Sequence, residues 1–84
     1  MKPVKIYTTP YCAFCVKAKR LLAKKQVPYE EIDVAGNDSL REKLVQQTGR
    51  MTVPQIFIGE RHVGGSDDLY ALDEEGQLDT LLNS

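Results

Sequence analysis

The chain opens with a strand, a helix and a second strand in direct succession, and that order leaves few arrangements open. Val4-Lys5-Ile6-Tyr7 alternates apolar and polar residues as a strand does. Val16 to Lys25 is lysine-rich and helical in pattern. Cys15, Ala18 and Leu22 share one helix face with Leu21 beside them, while Lys17, Lys24 and Lys25 are expected to point to water. Pro28 separates that helix from a strand over Tyr29 to Val34, whose Glu30, Glu31 and Asp33 suit an edge position. Strand, helix, strand implies parallel pairing through a right-handed crossover.

The remainder extends this unit. Ala35 to Asp38 is a loop, and Ser39 with Glu42 three residues on has the spacing of a capping box, although Asn37 or Asp38 also suits the cap. Leu40, Leu44 and Val45 would form the buried side of that second helix, and Gly49 would stop it. Pro54 precedes an apolar strand, Gln55 to Ile58. Gly59-Glu60 fits a type II′ hairpin into Arg61-His62-Val63. Gly64-Gly65 ends the hairpin, and Ser66 is expected to cap a last helix with Asp67 and Asp68 in its first turn. Leu69, Leu72, Leu78, Leu81 and Leu82 supply apolar contacts at the C-terminal end. The expected class is α/β, a mixed four-stranded sheet flanked by three or more helices.

Eighty-four residues suit a single domain, 1–84, with one core. The formal charge of −1 argues against a dedicated nucleic-acid binder. No apolar run approaches the ~20 residues that span a bilayer, and no signal-peptide core precedes the first strand. A cytoplasmic, monomeric protein with no membrane partner is expected.

The chain has two cysteines, Cys12 and Cys15, at the joint between the first strand and its helix. In a reducing compartment such a pair is catalytic or metal-binding rather than a permanent staple. A disulfide across so short a loop would also constrain little of the unfolded chain. A sulfur at a helix start faces unpaired backbone N–H groups and the positive end of the dipole. Cysteines in such motifs ionise at roughly 3.5–7.5 instead of about 8.5. Cys12, at the very start, is the expected nucleophile, and Cys15, one turn in, the resolving thiol. A zinc site would need more ligands, and His62 alone leaves the set two short; no metal ligand is assigned. His62 itself reads as a surface residue without a role.

Three motifs occur in order: Thr9-Pro10-Tyr11-Cys12-Ala13-Phe14-Cys15, then Thr52-Val53-Pro54, then Gly64-Gly65-Ser66-Asp67-Asp68. Together they resemble the glutaredoxins, across essentially the whole chain. The resemblance implies a thioredoxin fold with a cis peptide bond between Val53 and Pro54. It implies glutathione as co-substrate, and disulfide-bearing or glutathionylated proteins as partners. Val53 would offer its backbone N–H and C=O to the cysteinyl part of glutathione, as an added strand does. Gly65 would let backbone approach closely, and the N–H groups of Ser66 and Asp67 would hold the γ-glutamyl carboxylate. The Asp67 carboxylate would pair with the ammonium group. Tyr11 and Phe14 would wall the sulfur, and Arg50 would face the glycine carboxylate. Plainer readings stand beside these. Ser66-Asp67-Asp68 makes a good cap whatever binds, Pro54 suits a strand start in trans, and the basic residues of the first helix, Lys17 and Arg20 included, suit a solvated face.

The chain also departs from the family pattern. Ala13-Phe14 stands where proline and tyrosine are common, which loosens the helix start and removes a phenol. Thr9 stands where a lysine is frequent, which removes a charge. A small residue after the nucleophile also opens a second reading, a two-iron two-sulfur cluster shared by two protomers through Cys12 and glutathione. The retained Cys15 favours the oxidoreductase over that cluster carrier. A thioredoxin-like reductase served by a flavoenzyme is a third reading, weakened by the absence of tryptophan.

Overall fold

Val4, Ile6 and Thr8 alternate into the interior of β1 (Val4–Thr8), the strand around which the sheet is built. A computed structural model describes residues 1–84. From β1 the chain runs through α1 (Ala13–Lys24) to β2 (Glu30–Asp33) and α2 (Asp38–Thr48), then the hairpin β3 (Gln55–Ile58) and β4 (Arg61–Gly64). It closes with α3 (Ser66–Glu74) and α4 (Leu78–Leu82). The sheet order is β2-β1-β3-β4. β1 pairs parallel with β2 and antiparallel with β3, and β3 pairs antiparallel with β4. The expected mixed sheet and the charged edge strand are both present: Glu30, Glu31 and Asp33 are exposed on β2.

Ile6, Leu22, Ile56, Ile58, Leu69, Leu78 and Leu82 are fully buried between one sheet face and the helices. Each such side chain stabilises the fold by about 1.5–3 kcal/mol relative to exposure. On the other face Tyr7 and Phe57 meet edge-on with centroids 5.7 Å apart. The hairpin has the positive φ at Gly59, +59°, and not at Glu60, as a type II′ turn requires.

Several local expectations are corrected. Asn37, not Ser39, caps α2, its side-chain oxygen accepting from Leu40 N–H at 3.1 Å. Only Leu44 of that helix is fully buried, with Leu40 and Val45 half-buried, while Gly49 ends it at φ +71° as expected. The C-terminal segment is two helices, because the chain turns at Gly76 with φ +73°. Lys25 does not point to open water. Its ammonium bridges Asp73 at 2.7 Å and Asp79 at 3.2 Å, tying the end of α1 to α3 and α4. His62 is half-buried rather than on the surface, with Nε2 2.6 Å from Oε1 of buried Gln55. No helix is long and apolar enough to cross a membrane.

Candidate active site

After β1 the chain turns at Pro10 and Tyr11, and Cys12 then occupies the N-cap of α1 with φ −103° and ψ 108°. Its carbonyl accepts the first helical bond, from Val16 N–H at 3.1 Å, and its sulfur accepts from Cys15 N–H at 3.1 Å. The sulfur thus takes the place that a serine or aspartate oxygen takes at an ordinary cap. An amide donor and the helix dipole, worth about 0.3–1 kcal/mol to a negative charge at that end, both favour charge on this atom.

The two thiols differ in access. Cys12 is half-exposed, whereas Cys15 is 1 % exposed. Burial, followed by the adjacent Cys12 sulfur, pushes the Cys15 thiol up to about 12, with Thr9 and Lys19 opposing. Cys12 is therefore the sulfur that an external disulfide can meet, and Cys15 waits behind it as a protonated thiol.

A second segment meets the first from the start of β3, the strand paired beside β1. The Val53–Pro54 peptide bond is cis, as expected from the motif. The Cys12 thiol faces the Val53 carbonyl oxygen at 3.8 Å. Val53 lies outside every helix and strand, and its N–H is donated to no group within the chain. An extended backbone carrying a disulfide would find a donor and an acceptor here, beside the reactive sulfur.

The start of α3 forms the third wall. Gly64 ends β4 at φ +122°, and a side chain there would collide with the Asp68 carboxylate. Gly65 is the N-cap, and Asp68 accepts from its N–H at 2.9 Å. Arg50 donates to the same oxygen of Asp68 at 2.9 Å. The guanidinium first, then the Gly65 N–H, holds the Asp68 carboxyl below its usual range. Ser66 is helical rather than the cap, and its hydroxyl is buried without a partner. The backbone N–H groups of Ser66 and Asp67 have no helical acceptor, as at any helix start. Asp67 is exposed.

Phe14, Arg50, Val53, Pro54, Gly65, Ser66 and Asp67 line one cleft of about 280 Å³, together with Thr52 and Asp68. Seven candidates from the sequence are thereby brought together next to Cys12. Tyr11 is not. It has φ +61°, is fully exposed, and stands outside the cleft lining. A Cβ on Gly65 would lie 3.5 Å from the Pro54 carbonyl oxygen, an ordinary contact, whereas one on Gly64 would meet the Asp68 carboxylate. Asp68 was missed as a site residue, although an acid three residues after a cap is the signal of a reciprocal cap.

A sequence model described as Glutaredoxin matches residues 4–63. A glutaredoxin of Pseudomonas aeruginosa is 52 % identical over 84 residues, covering all of both chains. Glutaredoxin 3 of Escherichia coli is 51 % identical over 82 residues, covering 98 % of this chain and 99 % of that one. A buckwheat glutaredoxin–glutathione complex superposes with a TM-score of 0.92 at 30 % identity, covering 98 % of this chain and 77 % of that one. A Brucella melitensis glutaredoxin structure gives 0.88 at 54 % identity, covering 98 % and 89 %. With a capped, accessible sulfur, a buried second thiol and this sheet order, the likeness extends from sequence to fold, a thioredoxin fold, and the chain belongs to the glutaredoxin family.

Proposed function

We propose that the chain is a glutathione-dependent thiol–disulfide oxidoreductase acting on protein disulfides and on protein–glutathione mixed disulfides. The observation that carries this reading is the Cys12 sulfur at the N-cap of α1, half-exposed, with Cys15 N–H 3.1 Å away and the Cys15 thiol buried behind it. The Cys12 thiolate attacks the glutathionyl sulfur of a mixed disulfide. A bond forms between Cys12 and glutathione, the original disulfide breaks, and the freed protein thiolate takes a proton from water. A reduced glutathione thiolate then attacks that adduct, releasing Cys12 and leaving as oxidised glutathione. With a protein disulfide, Cys15 instead attacks Cys12, closing the pair, and two glutathione molecules reopen it.

The cleft fits glutathione by its own chemistry. Val53 N–H and C=O suit the cysteinyl amide groups, and the amides of Ser66 and Asp67 suit the γ-glutamyl carboxylate. The orphaned Ser66 hydroxyl is a polar atom in want of a partner at that same end. Asp67 suits the ammonium group. Arg50, already paired with Asp68, retains donors for the glycine carboxylate. Phe14 offers an apolar wall, and Tyr11 from its exposed position meets the protein part of a substrate. The buckwheat glutaredoxin, whose structure is that of a complex with glutathione, supports the same ligand. A monomer working where glutathione is kept reduced, the cytoplasm, suits this chemistry.

Regeneration tests the proposal. Reduced glutathione with glutathione reductase is expected to sustain turnover, and thioredoxin reductase is not. The reverse preference would reject the reading.

A further inference from the structure

Cys15 has to become a thiolate to do its work, yet burial holds it protonated up to about 12. What relieves that opposition is visible around it. Lys19 stands four residues on in α1, on the same helix face as Cys15. A helical side chain leans toward the N-terminus, so the Lys19 stem lies back over the turn that carries Cys15. Its ammonium does not range freely. It is bonded to Glu31 Oε2 at 2.9 Å, and that same oxygen accepts from the Thr8 hydroxyl at 2.8 Å. Thr8 is 2 % exposed at the end of the central strand, and Glu31 is on the neighbouring β2. The three residues therefore fix one ammonium where α1 meets β1 and β2, from a residue one helical turn beyond the resolving thiol.

We propose that Lys19, held by Glu31 and Thr8, is a positioning residue for the dithiol half-reaction, placing an ammonium over Cys15 where its thiolate must form. The inference rests on the oxidoreductase reading above. Cys15 loses its proton to solvent, and the thiolate attacks Cys12 Sγ of the mixed disulfide. The Cys12–Cys15 bond forms as the Cys12–substrate bond breaks, and the substrate thiolate leaves and is protonated. The substrate disulfide is reduced by two electrons and the cysteine pair is oxidised by two.

The groups facing Cys15 are few. At the cap of its helix Cys12 opposes ionisation, and on the helix Lys19 favours it; the Thr9 backbone just after β1 also favours it. From β2 and the residue before it, Glu31 and Tyr29 act on Lys19 and keep it charged. Once Cys12 is tied into a mixed disulfide, its sulfur no longer competes as a thiol or thiolate. Lys19 and the Thr9 backbone then remain to favour the thiolate against burial. Glu31 neutralises part of the ammonium field, so the expected effect is moderate.

Lys19→Met and Lys19→Arg in the full chain test this, with two substrates followed between pH 6 and 9 in the glutathione-coupled assay. Insulin reports the dithiol route and a glutathionylated peptide the single-thiol route. Lys19→Met is expected to slow insulin reduction roughly fivefold throughout pH 6 to 9, because pH stays well below the raised value of the thiol and both proteins gain thiolate in equal proportion as pH rises. Lys19→Arg restores the wild-type profile, and removal of glutathione from the peptide stays within twofold for both variants. If the insulin-to-peptide ratio does not move in Lys19→Met, or if both reactions fall together, the inference is overturned. If the wild-type protein itself reduces neither substrate with glutathione, the oxidoreductase reading fails instead.

Discussion

The backbone N–H of Cys15 donates to the sulfur of Cys12 at 3.1 Å, so the chain that positions the resolving residue also caps the attacking one. One helix turn thus serves both thiols, and it separates them by access. The sulfur at the cap is half-exposed beside the Val53 carbonyl, and its partner lies in the core.

That separation predicts selective labelling. Iodoacetamide on the reduced native protein at pH 7.5 should modify Cys12 and leave Cys15 untouched until the protein is unfolded in urea, as read by peptide mass mapping. Equal labelling of both would contradict the buried, protonated Cys15.

The same thiol gives an alkaline dependence with a definite sign. Its folded value is raised from about 9 to about 12, so the fold favours the protonated form. The stability it contributes is complete below pH 9 and is lost as pH rises toward 12, at up to about 1.4 kcal/mol per pH unit. Lysines and tyrosines titrate in this range too, so the measure is the difference between the wild-type protein and Cys15→Ser. In urea denaturation the wild-type advantage should shrink between pH 8 and 10; a constant difference would refute it.

Gly64 and Gly65 should differ although they are neighbours. Gly64→Ala puts a Cβ into the Asp68 carboxylate at φ +122° and should cost about 1–3 kcal/mol in urea denaturation. Gly65→Ala meets only an ordinary contact and should cost less. Equal losses would show that the turn is not built as described.

Asp68→Asn removes the negative charge that faces Gly65 N–H and Arg50 but keeps an oxygen that can accept from Gly65. Both partners of the ion pair are nearly half-exposed, so the loss at pH 7 should stay below about 1 kcal/mol. The carboxyl is held below its ordinary value of 3.8. Its contribution is therefore complete above pH 3.8 and fades as pH falls through the lowered value. Urea midpoints at pH 7 and pH 3 should differ more for wild type than for Asp68→Asn.

Much of this was legible in the sequence because it is local. The two cysteines, Gly49 as a helix stop and Gly59 as a hairpin turn each act through neighbours within a few residues. What the sequence concealed depends on distant partners. Lys25 looks like a solvated lysine until Asp73, 48 residues on, is folded against it. Arg50 meets Asp68 across 18 residues. The roles of Gly64 and Gly65 depend on where β4 ends and α3 begins, and two adjacent glycines carry no mark of that boundary. Tyr11 is expected at the sulfur only through the family resemblance, and its left-handed backbone and full exposure depend on a turn that the resemblance does not specify.

The most direct measurement is the amide NMR spectrum of Cys15→Ser after reaction with oxidised glutathione, with the adduct located by mass mapping. The account predicts glutathione on Cys12 and shifts concentrated at Val53, Ser66 and Asp67. An adduct that leaves those three amides unmoved, or no adduct at Cys12, would contradict it.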